Sequence, residues 1–434
     1  MTFFRYQQIF TSVRSLLAQQ LWARILLGMG LGTITGLALS PGGFALLENE
    51  TALTAAEWIA LPGTVFLEIL KMVVIPLIIC SIVLGILSSG SPRQLKKMGA
   101  FIVPYFIATS FVAVTIGLSL SLFIQPGHMM SAGAHAMVTD AISTASAPIL
   151  DELTVPQRIT RLIPSNFVEA ALHVDMLKIV IIAIFFGVAA LTMPREIVKP
   201  FEALCLFGQG AAMQIIDWAM ALAPYAVFGL MTDAMIHLGF DALSAIGWYM
   251  TSVLSGLAII LSLYLFGATV FGGHSPTTFL RAIREVQLLA FSTSSSAAVM
   301  PVSIRTAENN LGVSEDISRF VIPIGATINM DGTGLYQAVA AIFLCQIFGV
   351  DLSFTEMALL MCVIVGASIG TPATPGVGIV VLATILSGIG VPPAGIGIIF
   401  GVDRILDMCR TTINVTGDLT AVVIMERWMK SRSA

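Results

Sequence analysis

The sequence predicts an all-α polytopic membrane protein with about eight spanning helices and two re-entrant helical hairpins. Three observations carry this. Of the 434 residues 57% are hydrophobic and 11% charged, against roughly 25% charged in a soluble domain. Apolar runs long enough to cross a hydrocarbon core recur along the chain. Two further apolar stretches are broken by serine, glycine and proline where a spanning helix would continue. The net charge of −4 says little, because charge in such a chain is sorted by membrane side, and no nucleic-acid partner is expected.

In chain order, the apolar runs predict helices near 21–39, 58–88, 101–124, 174–192, 201–231, 243–271, 317–348 and 394–425. The first twenty residues lack a short apolar core with a small-residue cleavage site, so Leu21 to Leu39 is expected to stay as a helix. The hairpins are predicted near 277–303, which contains Ser292-Thr293-Ser294-Ser295-Ser296 and Pro301, and near 354–391, which contains Gly370-Thr371-Pro372-Ala373-Thr374-Pro375-Gly376. Broken backbone at membrane depth is tolerated only inside protein or beside a water-filled cavity, so both tips are expected to meet mid-membrane.

Lys and Arg placement fits this topology with both termini cytoplasmic. Arg93, Lys96, Lys97, Arg195, Lys199, Arg281, Arg284, Arg305, Arg427 and Lys430 fall on the inner side. The outer connections at 40–57, 232–242 and 349–353 carry none, and the 125–173 loop carries only Arg158 and Arg161. The five cysteines are scattered without metal-ligand spacing and read as reduced core residues, and the five histidines lie in or near loops. No haem or metal cluster is expected. The whole of 1–434 reads as one transmembrane domain, and its paired broken segments point to a secondary transporter.

Three constellations carry the chemistry. Asn329-Met330-Asp331-Gly332-Thr333 interrupts the seventh run; freed carbonyls with Asp331 and Asn329 offer the oxygen ligands a hard cation needs. The other reading is a polar kink satisfied by neighbouring helices. The last run holds Asp403, Arg404, Asp407, Arg410 and Asp418, with Thr411 and Asn414 among them. All but Arg404, which flanks it, share one helical face that spans about 22 Å of axis. Each ionisable group at mid-membrane costs about 2.5–3.5 kcal/mol on insertion scales. Asp407 and Arg410 suit the ammonium and carboxylate of a zwitterion with an acidic tail, and Asn414 with Asp418 offers a cation seat. The alternative is an internal salt-bridge ladder that includes Asp403–Arg410 and Asp407–Arg404. The third constellation is the hairpin tips, where Ser295 and Ser296 offer hydroxyls and amides at a half-helix N-terminus and Gly370 to Gly376 offers a flexible turn. Lys71 reads as a snorkelling or structurally paired residue.

These motifs resemble the dicarboxylate/amino acid:cation symporters, the glutamate transporter family. The matching segments are Ser294-Ser295-Ser296, Gly325-Ala326-Thr327-Ile328-Asn329-Met330-Asp331-Gly332-Thr333, Ser368-Ile369-Gly370-Thr371, and Asp407 through Asp418, with Lys71 to Pro76 and Thr109-Ser110 in support. The resemblance covers nearly the whole chain. It implies the inverted-repeat architecture, for which an archaeal member is a standard example, and a homotrimer in which a scaffold (12–92 and 174–240) anchors a mobile unit (95–124 and 242–430) that moves like an elevator. It implies that Arg410 grips a substrate carboxylate and Asp407 the α-amino group. Ser295, Ser296, Thr333, Thr411, Asn414 and backbone around Thr374 and Gly378 would add substrate contacts. It implies three sodium sites: Gly325, Asn329, Asn414 and Asp418; the carbonyls of Thr327, Ser368, Ile369 and Thr371; and Thr109, Ser110, Asn329 and Asp331. The implied activity is sodium-coupled uptake of aspartate or glutamate across a prokaryotic inner membrane, with Na+ as the transported coupling ion and no enzymatic step.

The departures are specific. Phe106 stands where members often have tyrosine near the third sodium site. Pro372 adds a proline to the second hairpin tip, which also lacks the usual second glycine. Ser294 and Met408 stand where members carry a further arginine, for which Arg404 is a substitute one turn away. Gln337 stands where proton-coupled animal members have glutamate, so no proton cotransport is expected through it. The competing readings are a C4-dicarboxylate symporter, a proton-driven glutamate symporter and, from another class, a passive channel. An intramembrane enzyme would need a base beside the serines, and the histidines are in loops.

Overall fold

The computed structural model describes residues 21–40, 44–46, 48–87, 98–129, 164, 166–172, 176–238, 240–369, 371, 376–389, 391 and 395–431. Among these no strand occurs. The helices are α1 (Leu21–Leu39), α2 (Asn49–Leu87), α3 (Ala100–Ile124, followed by a 3-10 turn at Pro126–Met129), α4 (Phe167–Leu172), α5 (Met176–Thr192), α6 (Arg195–Leu238), α7 (Phe240–Val270), α8 (Pro276–Thr293), α9 (Ser296–Asn309), α10 (Glu315–Ile328), α11 (Asp331–Ile347), α12 (Phe354–Ile369), α13 (Val377–Gly388) and α14 (Ile396–Ser431). The stretches Ala100–Met129, Arg195–His237 and Ser244–Val270 are each long and apolar enough to cross a membrane.

α2 begins at Asn49 rather than near 58, and α6 runs from Arg195 to Leu238 rather than over 201–231. The reason is that hydropathy marks the membrane-buried part of a helix, not its ends. Residues 49–57 are rich in alanine with Glu50 and Glu57, good helix formers that need no apolar run. At about 1.5 Å per residue both helices exceed a hydrocarbon core, and each carries two internal prolines, Pro62 and Pro76 in α2 and Pro200 and Pro224 in α6, where bending is expected. α6 packs along α2 and α1. Gly28, Gly32 and Gly36 line the α1 side of that contact; a Cβ at Gly32 would lie 2.5 Å from Phe228 O, the close approach small residues allow between membrane helices. α6 leaves large apolar side chains exposed, Phe207, Trp218 and Tyr225 among them.

Each stretch predicted as a hairpin contains a pair of helices, and the serine run explains the first. Ser275 caps α8 by accepting the Thr278 N–H at 3.3 Å, with Pro276 at the first helical position. α8 ends at Ser294, whose φ of +52° is left-handed, a conformation that costs a non-glycine residue roughly 1–2 kcal/mol. Ser295 then turns extended, and its hydroxyl accepts the Ala298 N–H at 3.2 Å to start α9. One serine stops a helix and the next starts another. α8 buries Phe279, Ile283, Val286 and Ala290, a single stripe at helical spacing. The second hairpin is α12 and α13, with Gly376 at φ +80° beginning α13. Its tip residues 372–375, including the extra Pro372, lie outside the described residues, as do both chain termini.

The buried apolar residues form two main clusters, and α14 belongs to both. Ile396 to Ile413 pack with α1, α2, α6, α11 and α13. Val415 to Met425 pack with α3, α8, α9 and α10. Asn414 sits at the junction, and the charged face of α14 is enclosed from both sides. A cysteine at His274 is expected to react with membrane-impermeant maleimide only from the cytoplasmic side, and one at Asp351 only from outside; labelling of both from one side would refute the topology.

Candidate functional site

The seventh apolar run is two helices. α10 ends at Ile328, and Asn329 (φ −83°, ψ 78°) and Met330 (φ −109°, ψ 42°) leave helical geometry before α11 begins at Asp331. The Met330 N–H turns to Ile328 O instead of the Ala326 O that a continuous helix would use. This break faces α14, and two polar clusters form along the contact.

The first cluster surrounds Arg410, which is 1% exposed. Its Nη2 donates to Asp407 Oδ1 at 2.7 Å and its Nη1 lies 3.3 Å from Asp403 Oδ1. The guanidinium stands 4.0 Å from the centre of the Tyr336 ring, a cation–π arrangement. Asp407 Oδ2 accepts from the Gly376 N–H at 3.1 Å and from Arg404 Nη1 at 3.4 Å. Two arginines thus balance two aspartates, as buried charge requires. The ladder alternative read from the sequence, Asp403–Arg410 and Asp407–Arg404, is what forms, with Asp407–Arg410 added. Gly378 packs its bare Cα against the guanidinium, where a Cβ would lie 3.1 Å from Nη1, and its carbonyl accepts from Gln337 Nε2 at 3.2 Å.

The second cluster is built mainly from oxygen and amide groups, with Met330 Sδ accepting from Asn414 Nδ2 at 3.3 Å at its edge. Asp331 accepts from Ser110 Oγ at 2.6 Å and from Tyr264 Oη at 2.6 Å. Asn329 Nδ2 donates to Asp418 Oδ1 at 2.9 Å and to Asn414 O at 3.2 Å, while Asn329 Oδ1 is buried without a hydrogen-bond partner. Gly325 has no side chain because Asp418 Oδ1 occupies the space a Cβ would need. Asn414 joins the clusters: its Oδ1 accepts the Gly332 N–H at 2.8 Å and its Nδ2 donates to Thr333 Oγ1 at 3.3 Å.

Residues 21–428 match the sodium:dicarboxylate symporter family. The chain belongs to that family. It is a multi-pass membrane transporter that couples its solute to a cation, not an enzyme. It is 34% identical over 371 residues to a proton/sodium-glutamate symport protein of Bacillus subtilis (strain 168), covering 84% of this chain and 85% of the relative. It is 32% identical over 380 residues to a proton/glutamate-aspartate symporter of Escherichia coli (strain K12), covering 84% of each. It is also 32% identical over 435 residues to a neutral amino acid transporter B(0) of Oryctolagus cuniculus, covering 92% of this chain and 78% of the relative.

In this symporter the expected site residues fall into three groups. Asp407, Arg410, Gly378, Thr333 and Asn414 line one continuous contact between α14, α11 and α13, and Thr411 is buried among them on α14. Ser110, Gly325, Asn329, Asp331 and Asp418 form the oxygen cluster, and the Thr109 hydroxyl lies between Phe106 O, 3.0 Å away, and the Asp331 carboxylate. Phe106 is fully buried, with Cζ 3.2 Å from the Cβ position of Gly325. Ser368, Thr371 and Thr327 turn their hydroxyls to Val365 O, Ala367 O and Ile324 O, leaving carbonyls as their contribution. Ile369 is half-buried at the end of α12, and Thr374 lies outside the described residues. Ser295 and Ser296 are buried at their tip, and their hairpin is tied to α14 by Gln287 Nε2 to Thr416 Oγ1 at 3.1 Å. Sequence reasoning missed Tyr264 and Tyr336. The available signal was a phenol inside an apolar helix, which needs a polar or π-type partner.

Gly325→Ala is expected to cost about 1–3 kcal/mol through overpacking against Asp418, read as a lower melting temperature in detergent. Gly30→Ala, where a Cβ meets nothing within 4 Å, is the control and leaves melting unchanged or slightly raised, since alanine favours the helix; equal melting of both variants would contradict the close approach.

Proposed function

We propose that this chain is a sodium-driven importer of an acidic amino acid, aspartate or glutamate, across a prokaryotic plasma membrane. The observation that carries the reading is the buried Arg410–Asp407 pair on the same helix as Asp418, with Asn414 between it and the Asp331–Asn329–Asp418 oxygens. The guanidinium exchanges Asp407 for a substrate carboxylate, bidentately, and Asp407 turns to the α-ammonium. A neutral substrate would leave the guanidinium with Asp403 alone once Asp407 turns away, whereas an acidic one replaces the second carboxylate, which favours an acidic substrate. The names of the Bacillus subtilis and Escherichia coli relatives support the same substrate class.

Coupling follows from shared structure. Cation and substrate both order the α10–α11 break and its contacts to Asn414, so each favours the other's binding. Sodium would be held by Ser110, Asn329, Asp331 and Asp418, and by carbonyls at Gly325, Thr327, Ser368, Ile369 and Thr371. The second hairpin, whose Gly376 amide contacts Asp407, closes over a filled site. In this reading α1, α2, α5 and α6 form the scaffold of a homotrimer and α3 with α7–α14 form the moving unit. A crevice lined by Ile25, Phe66 and Met220 on one side and Gly376, Phe400, Asp403 and Arg404 on the other is consistent with a boundary between the two units. The second reading is proton coupling, favoured by the name of the Escherichia coli relative.

Aspartate uptake into proteoliposomes is expected to need an inward sodium gradient; uptake that survives sodium removal and follows a proton gradient would transfer the assignment to the proton-driven reading. Arg410→Ala is expected to weaken aspartate and glutamate by about 30-fold or more, the loss for a truncated buried charge partner. Retained affinity would remove its role, and strong competition by succinate would favour the C4-dicarboxylate class.

A further inference from the structure

We infer that Tyr264 is a positioning residue of the cation step: its hydroxyl holds one oxygen of Asp331 as a neutral donor. This rests on Asp331 taking part in cation binding. Asp331 is 1% exposed; Ser110 Oγ donates to its Oδ1 and Tyr264 Oη to its Oδ2, each at 2.6 Å, with the Thr109 side chain also within hydrogen-bonding reach. A carboxylate offers about four lone-pair sites, so these donors leave room for a cation while both oxygens are fixed in direction.

The phenol's position is set from a second side. Gly417 on α14 is bare, and a Cβ there would lie 2.6 Å from Tyr264 Oη and 2.5 Å from Asn329 Nδ2. The hydroxyl and the amide therefore meet over the same Cα, the hydroxyl on Asp331 and the amide on Asp418 at 2.9 Å. Asn329 Oδ1, fully buried and unpartnered, belongs to the same group and supplies a further oxygen. Four elements, α3, α7, the α10–α11 break and α14, are thus joined through groups that carry no positive charge. A lysine or arginine at this place would cancel the carboxylate that attracts the ion; a phenol orients it and leaves its charge intact.

The test uses the purified full-length protein, with sodium-dependent thermal stabilisation in detergent and sodium-dependent aspartate uptake in liposomes as readouts. Tyr264→Phe removes only the hydroxyl and is expected to raise half-saturating sodium about tenfold, the effect of one charge-assisted hydrogen bond, with aspartate half-saturation at saturating sodium within about twofold. Ser110→Ala acts on the other oxygen, and the double variant is expected to lose less than the product of the two, because both act through one carboxylate. Wild-type sodium dependence in Tyr264→Phe, or an equal shift in sodium and aspartate, overturns the assignment. Asp331→Asn separates the two ideas. If it abolishes the sodium response while Tyr264→Phe does not move it, only the role of Tyr264 fails; if it keeps the response, the cation reading of Asp331 fails with it.

Discussion

Burying a guanidinium in a membrane protein is the constraint on which the rest of the structure depends. Arg410 is 1% exposed, and an uncompensated charge at that depth is expensive enough to expel the helix from the bilayer core. The counter-charges are local and from the same helix, Asp403 and Asp407, and α11 adds the Tyr336 ring against the guanidinium face. A helix carrying such a group must be wrapped by protein all round. α14 accordingly lies between two apolar clusters and meets both hairpins and α11.

The same constraint explains why the irregular backbone converges on this helix. Each break in the hairpins and between α10 and α11 leaves polar groups that lipid cannot satisfy. Several of these groups find partners on α14: Gly376 N–H on Asp407, Gly332 N–H on Asn414, and Asn329 on Asp418. Polar backbone and buried side chains answer each other's needs. A site assembled in this way is easily perturbed, since removing one partner strands the other, and that makes it sensitive to an arriving ion or carboxylate. Asn414 is the shared member, with contacts to Gly332, Thr333 and Asn329.

The serine-rich turn shows how far local sequence reaches. The hairpin was legible because serine, glycine and proline punctuate helices by known means, and Ser294 and Ser295 divide the work of stopping and starting. Helix ends were less legible in α2 and α6, where alanine-rich and charged turns extend beyond the apolar run. The Asn329 to Thr333 break and the Asp403 to Asp418 face were legible because polar groups at membrane depth are costly and therefore sparse.

The sequence by itself determined the class of the protein, most of its helical segments, the breaks in its two interrupted apolar stretches and most of the polar residues that the structure brings together on α14. Hydropathy and helical period suffice for these, because they depend on transfer cost and on which residues share a face. Partner choice was decided only by the tertiary structure. Whether Arg410 would face open space or Asp403 and Asp407, and that Tyr264 from α7 would reach Asp331 across 67 residues of sequence, depend on how each helix is rotated against its neighbours. That rotation is set by packing, down to a missing Cβ at Gly325 or Gly417, and no periodicity encodes it.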